Sequence, residues 1–413
     1  MKTAEELFRE RAQRIDDAIS LRIPDRIPIE IAFGYFPARY CGIPSAAAYY
    51  DYDSWLAACK KTVLDFGADI SVVLPFFPGS VLEVIDPKSM MWPGHGSSSL
   101  ASHQYVEGEY MKSDEYEAFL LDPTDYMLRS YYPRISGAMK GFGLLPPLAL
   151  PWGGHQGALA LAGVLSDPGV AEAIERLQKA GQEMRRWGPR LAAFTETMVQ
   201  LGFPPLSSGL MLAPFDAISD HMRGMRGSMI DMYRNPDQLL QSVELIYQKA
   251  LKTIPSAVPG GVNTLFIPLH RGADGFMSVR QFEKFYWPTL KGLIQAIVDK
   301  GNRLVVIFEG DYTSKLEYLL DLPKGKIFAH IDNTDILKVK KILNHHMCIS
   351  GNVPNSLLAA GTPEEVKNRC RQMIDVCAQD GGFIMSSRGP VDDARPENLK
   401  AMIDVTIEYG AYR

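Results

Sequence analysis

The chain has five cysteines in 413 residues, Cys41, Cys59, Cys348, Cys370 and Cys377, and no two form a CxxC pair. An odd count at wide spacing excludes a disulfide framework and a zinc ribbon. Cys370 and Cys377 are seven apart in a helical pattern and read as small buried hydrophobes. No apolar run approaches the roughly 20 residues needed to cross a bilayer. Excess positive charge is also missing: the net charge of −5 gives no electrostatic case for nucleic acid or an anionic membrane surface. Neither GxGxxG after a first strand nor GxxxxGK[ST] occurs, so the glycine-rich phosphate cradles are excluded. There is no internal repeat of fixed period. The first residues, MKTAEELFRERAQRIDDAI, form a charged amphipathic pattern without a signal-peptide core, so a cytoplasmic location is the default expectation.

What is present is a beat of strands and helices. With 46% hydrophobic and 22% charged residues the composition is that of a globular protein. Between Arg303 and Pro354, three short apolar runs (304–308, 327–331, 347–349) are each followed by polar residues and a helix or turn pattern. This is the signature of β-α units with buried parallel strands. Five more strand candidates, 27–33, 68–74, 144–150, 262–269 and 383–386, bring the set to eight. The expected fold is α/β: a single (β/α)8 TIM barrel over residues 1–413. A helix over 4–21 would form an N-terminal extension. Residues 75–132, rich in Gly, Ser, Pro and aromatics, would supply long loops over the barrel mouth.

Barrel sites collect side chains from the C-terminal ends of several strands. That rule gathers Glu30, His270, Arg271, Glu309, Asp311, His330, Asp332 and Cys348 on one rim. Twenty residues separate Glu309 from His330, one β-α unit, which puts both at the same end of neighbouring strands. Three readings stay open for that pair: ligands of a divalent metal, a proton-transfer pair, or a satisfied hydrogen bond at the rim. Glu30, inside a short strand, points either into the barrel mouth or out at an irregular edge. Asp216, Asp220, Arg223 and Arg226 recur at helical spacing. They suit a surface face of ion pairs and, because Gly224 and Gly227 weaken the helix, equally a bent segment carrying polar side chains into a pocket. His95 and His103 read as surface histidines, and His155 as a strand-end or helix-start residue.

Five segments together resemble the uroporphyrinogen decarboxylase superfamily: PDRIPI (24–29), RLVVIFEGDYTSKLEYL, KGKIFAHIDNTDILKVKKIL, CISGNVPNSLLAAGTPEEV and GGFIMSSRGPVDDARPENLKAM. In character they are closest to its corrinoid-dependent zinc methyltransferase and O-demethylase branch. The resemblance implies a (β/α)8 barrel that decarboxylates a tetrapyrrole without cofactor or moves methyl groups to a corrinoid protein with zinc. Glu309 and His330 resemble the Glu-x20-His half of the O-demethylase zinc motif. Asp332 stands where the thiol-transfer type has cysteine, and no cysteine follows near Ser387, Arg388 and Gly389. The stretch after the first strand carries Arg39 alone, where the decarboxylases are arginine-rich. By this resemblance Glu309, His330 and His270 are catalytic, and Glu309 and His330 hold zinc, completed by Asp332, Asp311 or Glu30. Arg271, Tyr312, Glu30 and Arg39 contact substrate. The implied function is zinc-dependent transfer of a methyl group from a small methyl ether, aromatic ones included, or another methylated substrate. The acceptor is cobalamin on a partner corrinoid protein, and the chain itself is a candidate homodimer. The alternatives are a metal-free carboxy-lyase using Arg39, Arg271 and His330, and a catalytically silent tetrapyrrole or corrinoid binder.

Overall fold

Eight parallel strands carry the functional end of the molecule. In the computed structural model, which describes residues 2–147, 154–257 and 263–412, they are β1 (Glu30–Gly34), β2 (Ile70–Val73), β3 (Gly209–Leu210), β4 (Thr264–Leu269), β5 (Arg303–Phe308), β6 (Ile327–Ile331), β7 (Cys348–Val353) and β8 (Phe383–Ser387). Strands β3 to β8 form one six-stranded parallel sheet in chain order, and β1 pairs β2. A parallel bridge from Ile29 to Met385 joins the two sets. The order is therefore β3-β4-β5-β6-β7-β8-β1-β2. Such strands read as continuous apolar runs because helices cover their outer faces; β6, IFAHI, is buried throughout.

The sheet is strongly curled. β1 and β6 stand three strand spacings apart, about 14 Å on a flat sheet. Yet the Glu30 carboxylate lies 3.0 Å from the His330 imidazole. Along β6, Phe328, His330 and Asp332 share one face by the two-residue alternation of a strand. Phe328 at the bottom is level with Val305 and Cys348. These pack with Ala18 and Ile19 of the first helix, Ala4–Ile19, which plugs that end. His330 occupies the middle layer and Asp332 the top.

The connecting helices begin where their caps dictate. Thr3 with Glu6 and Thr362 with Glu365 form capping boxes, and Pro363 fills the first turn of Pro363–Cys377. Tyr52–Phe66 ends at Gly67, whose φ of 65° suits glycine. Among the described residues no single helix is long and apolar enough to cross a membrane.

Two expectations are corrected. No strand forms over the described part of 144–150: Leu144 ends a 3-10 helix, Gly137–Leu144, and residues 145–147 are irregular. Residues 148–150 lie outside the described residues. Pro146 and Pro147 have no N–H for a ladder, and the third place in the sheet belongs to β3. Cys348 is not on the rim. β7 continues to Val353, so Cys348 starts the strand at the opposite end, fully buried. Burial pushes its thiol far above the usual range. Residues 75–132 hold more structure than their composition suggests, including a helix Gly79–Ile85 and a small sheet of Met90–Pro93, Gly96–Ser97 and Gln104–Tyr105. There His95 stacks on Trp92, and His103 meets the Tyr35 hydroxyl at 2.9 Å.

Candidate active site at the C-terminal strand ends

Two polar clusters occupy this end, one inside the curl and one on its rim. In the interior, Glu30 is 2% exposed, so it points inward. His330 Nδ1 lies 3.0 Å from Glu30 Oε2 and 3.2 Å from Ser350 Oγ, and Nε2 lies 3.3 Å from the Arg388 carbonyl. Burial alone would lower the imidazole's pKa. The Glu30 charge and hydrogen bond, with the Arg388 carbonyl, outweigh it and raise the value. Both ring nitrogens are thus engaged.

The rim cluster is built by the segment after β3. Helix Pro214–Ile218 passes into a π-helical turn, Ser219–Arg223, and breaks at Gly224, where φ is 70°. A π turn re-aims side chains and is frequent at functional sites. Here Asp216 from the helix and Asp220 from the π turn both meet the end of β4. Asp216, fully buried, accepts the backbone N–H groups of His270 (2.9 Å) and Arg271 (3.1 Å) and the Tyr286 hydroxyl (2.7 Å). Burial and the neighbouring Asp220 raise its pKa to about 6. Asp220 Oδ2 lies 2.5 Å from His270 Nδ1, and its Oδ1 is in ion-pair contact with Arg271 Nη2 at 3.0 Å. Arg271 Nε also donates to Ser219 Oγ. His270 Nε2 faces Glu309 Oε1 at 3.6 Å, beyond a normal hydrogen bond. Burial pulls His270 down, but Asp220 and Glu309 prevail and raise its pKa to about 10. His270 is therefore an imidazolium at neutral pH, 30% exposed at the mouth.

Next to Glu309 lies a cavity of about 460 Å³, lined by Ile307, Glu309, Asp332, Pro354, Asn355, Ser356, Arg388, Gly389 and Pro390. That volume suits a small ligand. Asp332 Oδ2 accepts the Gly310 N–H at 2.9 Å. Burial pushes its carboxyl above the usual range, opposed by that N–H and by Arg388.

The remaining sequence candidates sit away from this opening. Asp311 folds back on Thr313, whose N–H and hydroxyl it accepts at 2.9 and 2.6 Å. Tyr312 is buried behind the rim, its hydroxyl donating to the Leu269 carbonyl at 3.2 Å. Arg39, in the helix Phe36–Cys41, is more than half exposed and pairs with Asp393.

The residues proposed for zinc do not fit as a set in this arrangement. His330 spends Nδ1 on Glu30 and Nε2 on a carbonyl, Glu309 faces His270, and Asp311 caps a turn. Among the described residues no three His, Cys, Asp or Glu side chains gather where they could hold a metal ion.

Asp216 and Asp220 belong to the rim, which sequence spacing left balanced between a surface face and a pocket; the glycine after the π turn was the signal for the second. Arg388 and Asn355 were not singled out. Arg388 directly follows β8, so the strand-end rule reaches it.

Comparisons with known proteins agree with this architecture. The uroporphyrinogen decarboxylase (URO-D) family profile matches residues 164–409. Uroporphyrinogen decarboxylases of Chlorobaculum parvum and Chlorobaculum tepidum are 24% and 25% identical over 185 residues, 44% of this chain and 52% of each relative. The chain thus matches about half the length of these curated relatives. A methyltransferase from Methanosarcina mazei shares the fold with a TM-score of 0.60 and 15% identity, over 99% of both chains. The matched region holds β3 to β8, the helices that connect them and the rim cluster, and the chain belongs to the uroporphyrinogen decarboxylase (URO-D) family.

Proposed function

We propose that this protein is a methyltransferase that moves a methyl group from a small methylated substrate to a corrinoid protein. In this reading the curled sheet closes between β2 and β3, making residues 1–413 one (β/α)8 barrel domain. The observation that carries it is His270, anchored on Asp220 through Nδ1 and facing with Nε2 the Glu309 that lines a cavity of small-ligand size. The barrel-wide likeness to a methyltransferase supports it.

Each residue then has a task. The substrate occupies the cavity with its methyl group toward the opening, where the corrinoid protein docks. The partner's reduced corrinoid supplies the nucleophile that takes the methyl group. As the carbon–oxygen bond breaks, the electron pair stays on oxygen, and His270 Nε2 gives that oxygen its proton. Asp220 fixes the ring through Nδ1, and Nε2 is left facing Glu309 at the edge of the cavity. Arg271, anchored by Asp216 and Asp220, keeps this acid in place. No step runs through a metal, because the donor set does not converge.

The lining holds two carboxylates and one arginine, which disfavours a polycarboxylated tetrapyrrole. The test is methyl transfer from methoxylated compounds to cob(I)alamin, followed by its visible spectrum, with the wild type and His270→Gln. Transfer that collapses in the variant supports the reading. Release of carbon dioxide from a carboxylated substrate without methyl transfer would replace it with a carboxy-lyase; binding without turnover would leave a corrinoid or tetrapyrrole binder.

A further inference from the structure

The charges around the cavity are unevenly answered. Glu309 faces the His270 imidazolium, and Asp332 takes the Gly310 N–H and the Asn333 amide at 2.9 and 3.3 Å. Arg388 is different. Its Nη1 donates to a neutral acceptor, Asn333 Oδ1, at 2.9 Å. Its Nε is buried and meets no acceptor among the described residues; the Asp332 carboxylate feels its charge from across the cavity, but no described carboxylate comes within ion-pair reach. A buried N–H left without a partner carries its full desolvation cost. With Nε closed off, it is the more open Nη end of the guanidinium, which meets only a neutral acceptor, that suits a planar, two-oxygen anion. Its position is well defined, because its own carbonyl is tied to His330 and β8 ends one residue earlier. Ile307, Pro354 and Pro390 supply apolar wall, and Ser356 adds a hydroxyl.

We propose that Arg388 is a substrate-binding residue that receives a carboxylate, so that this cavity takes methylated carboxylic acids in preference to neutral methyl ethers. The carboxylate fills the fork of Arg388, the body of the molecule lies on Ile307, Pro354 and Pro390, and the methylated end reaches toward Glu309 and His270. This rests on the reading of the rim as the active site, and deepens it by naming the charge of the substrate.

The experiment measures binding, which is independent of turnover. Benzoate, 4-methoxybenzoate and neutral 4-methoxybenzyl alcohol are titrated calorimetrically into the full chain, wild type, Arg388→Gln and Arg388→Lys. The two acids bind the wild type, and the alcohol binds at least tenfold more weakly. Arg388→Gln weakens the acids by roughly 10- to 100-fold, the range of a lost charge-assisted hydrogen bond, without changing the alcohol. Arg388→Lys, with the charge but no fork, falls between. Unchanged thermal unfolding of the variants shows that the loss is not one of fold. Acids that bind no better than the alcohol, that are indifferent to Arg388→Gln, or that do not bind at millimolar concentration overturn the inference. Benzoate carries no methyl group, so its binding through Arg388 stands even where methyl transfer fails. Methyl transfer from the neutral alcohol, with no acid binding, would remove this inference and leave the proposed function intact.

Discussion

His330 and His270 are the same side chain in two settings, and the contrast separates architecture from chemistry at this end of the parallel strands. Each faces a carboxylate and each is held above the ordinary imidazole pKa. His330 is 2% exposed, with Glu30, Ser350 and a carbonyl on its nitrogens. It has no proton to offer a ligand without unmaking the interior. His270, one layer higher, is anchored on one nitrogen only; the other faces, across 3.6 Å, Glu309, which lines the cavity. Satisfied polarity holds a fold together, and polarity left partly open can act.

The largest expected effect lies at the open histidine. His270→Gln should lower the methyl-transfer rate per folded molecule by roughly 10²- to 10⁴-fold, the usual contribution of a positioned acid, with a native circular dichroism spectrum and an unfolding midpoint lowered by the lost pairing with Asp220. A loss below tenfold would show that His270 is no more active than His330. The closed histidine should give the opposite pattern. His330→Ala leaves Glu30 buried without its partner and should destabilise the fold by about 3–5 kcal/mol, read by urea unfolding, while turnover per folded molecule persists. Zinc lost from the purified protein in His330→Ala would instead restore the ligand role that its sequence position suggested.

A smaller effect sharpens the comparison through pH. The folded value of His270, about 10, lies above the ordinary 6.5. Stability from its pairing is fully present below about pH 6.5, and is lost as pH rises through 10. Asp220→Asn removes the main partner and should flatten that alkaline decline in unfolding midpoint; an unchanged profile means the pair contributes nothing. The smallest effect is expected at Arg39→Ala. Its exposed pair with Asp393 should contribute no more than about 1 kcal/mol. A KM raised tenfold or more would place Arg39 at the substrate, as the sequence resemblance implied.

The strand beat was legible because buried parallel strands leave unbroken apolar runs: 304–308, 327–331 and 383–386 match β5, β6 and β8 to within a residue. β3 was not legible, since two paired residues, Gly209 and Leu210, leave no pattern. The strand-end rule put His270, Glu309 and Asp332 at one end of the molecule. It could not tell the middle layer from the top, because a two-residue step along β6 separates sealed His330 from the cavity-lining Asp332. Nor could spacing show that Asp216, from a helix, and Asp220, from the π turn that follows it, reach across to the end of β4. Cys348 was misplaced because the polar residues Ser350, Gly351 and Asn352 hid the second half of β7.

The contact between Glu30 and His330 also has a kinetic side. It joins residues 300 apart in the chain, and Tyr35 meets Asp392 across 357. Loops of that size close slowly, and nothing local rewards the closure until the last strands arrive. During synthesis the first strand must therefore wait, its carboxylate unpaired, until His330 has left the ribosome.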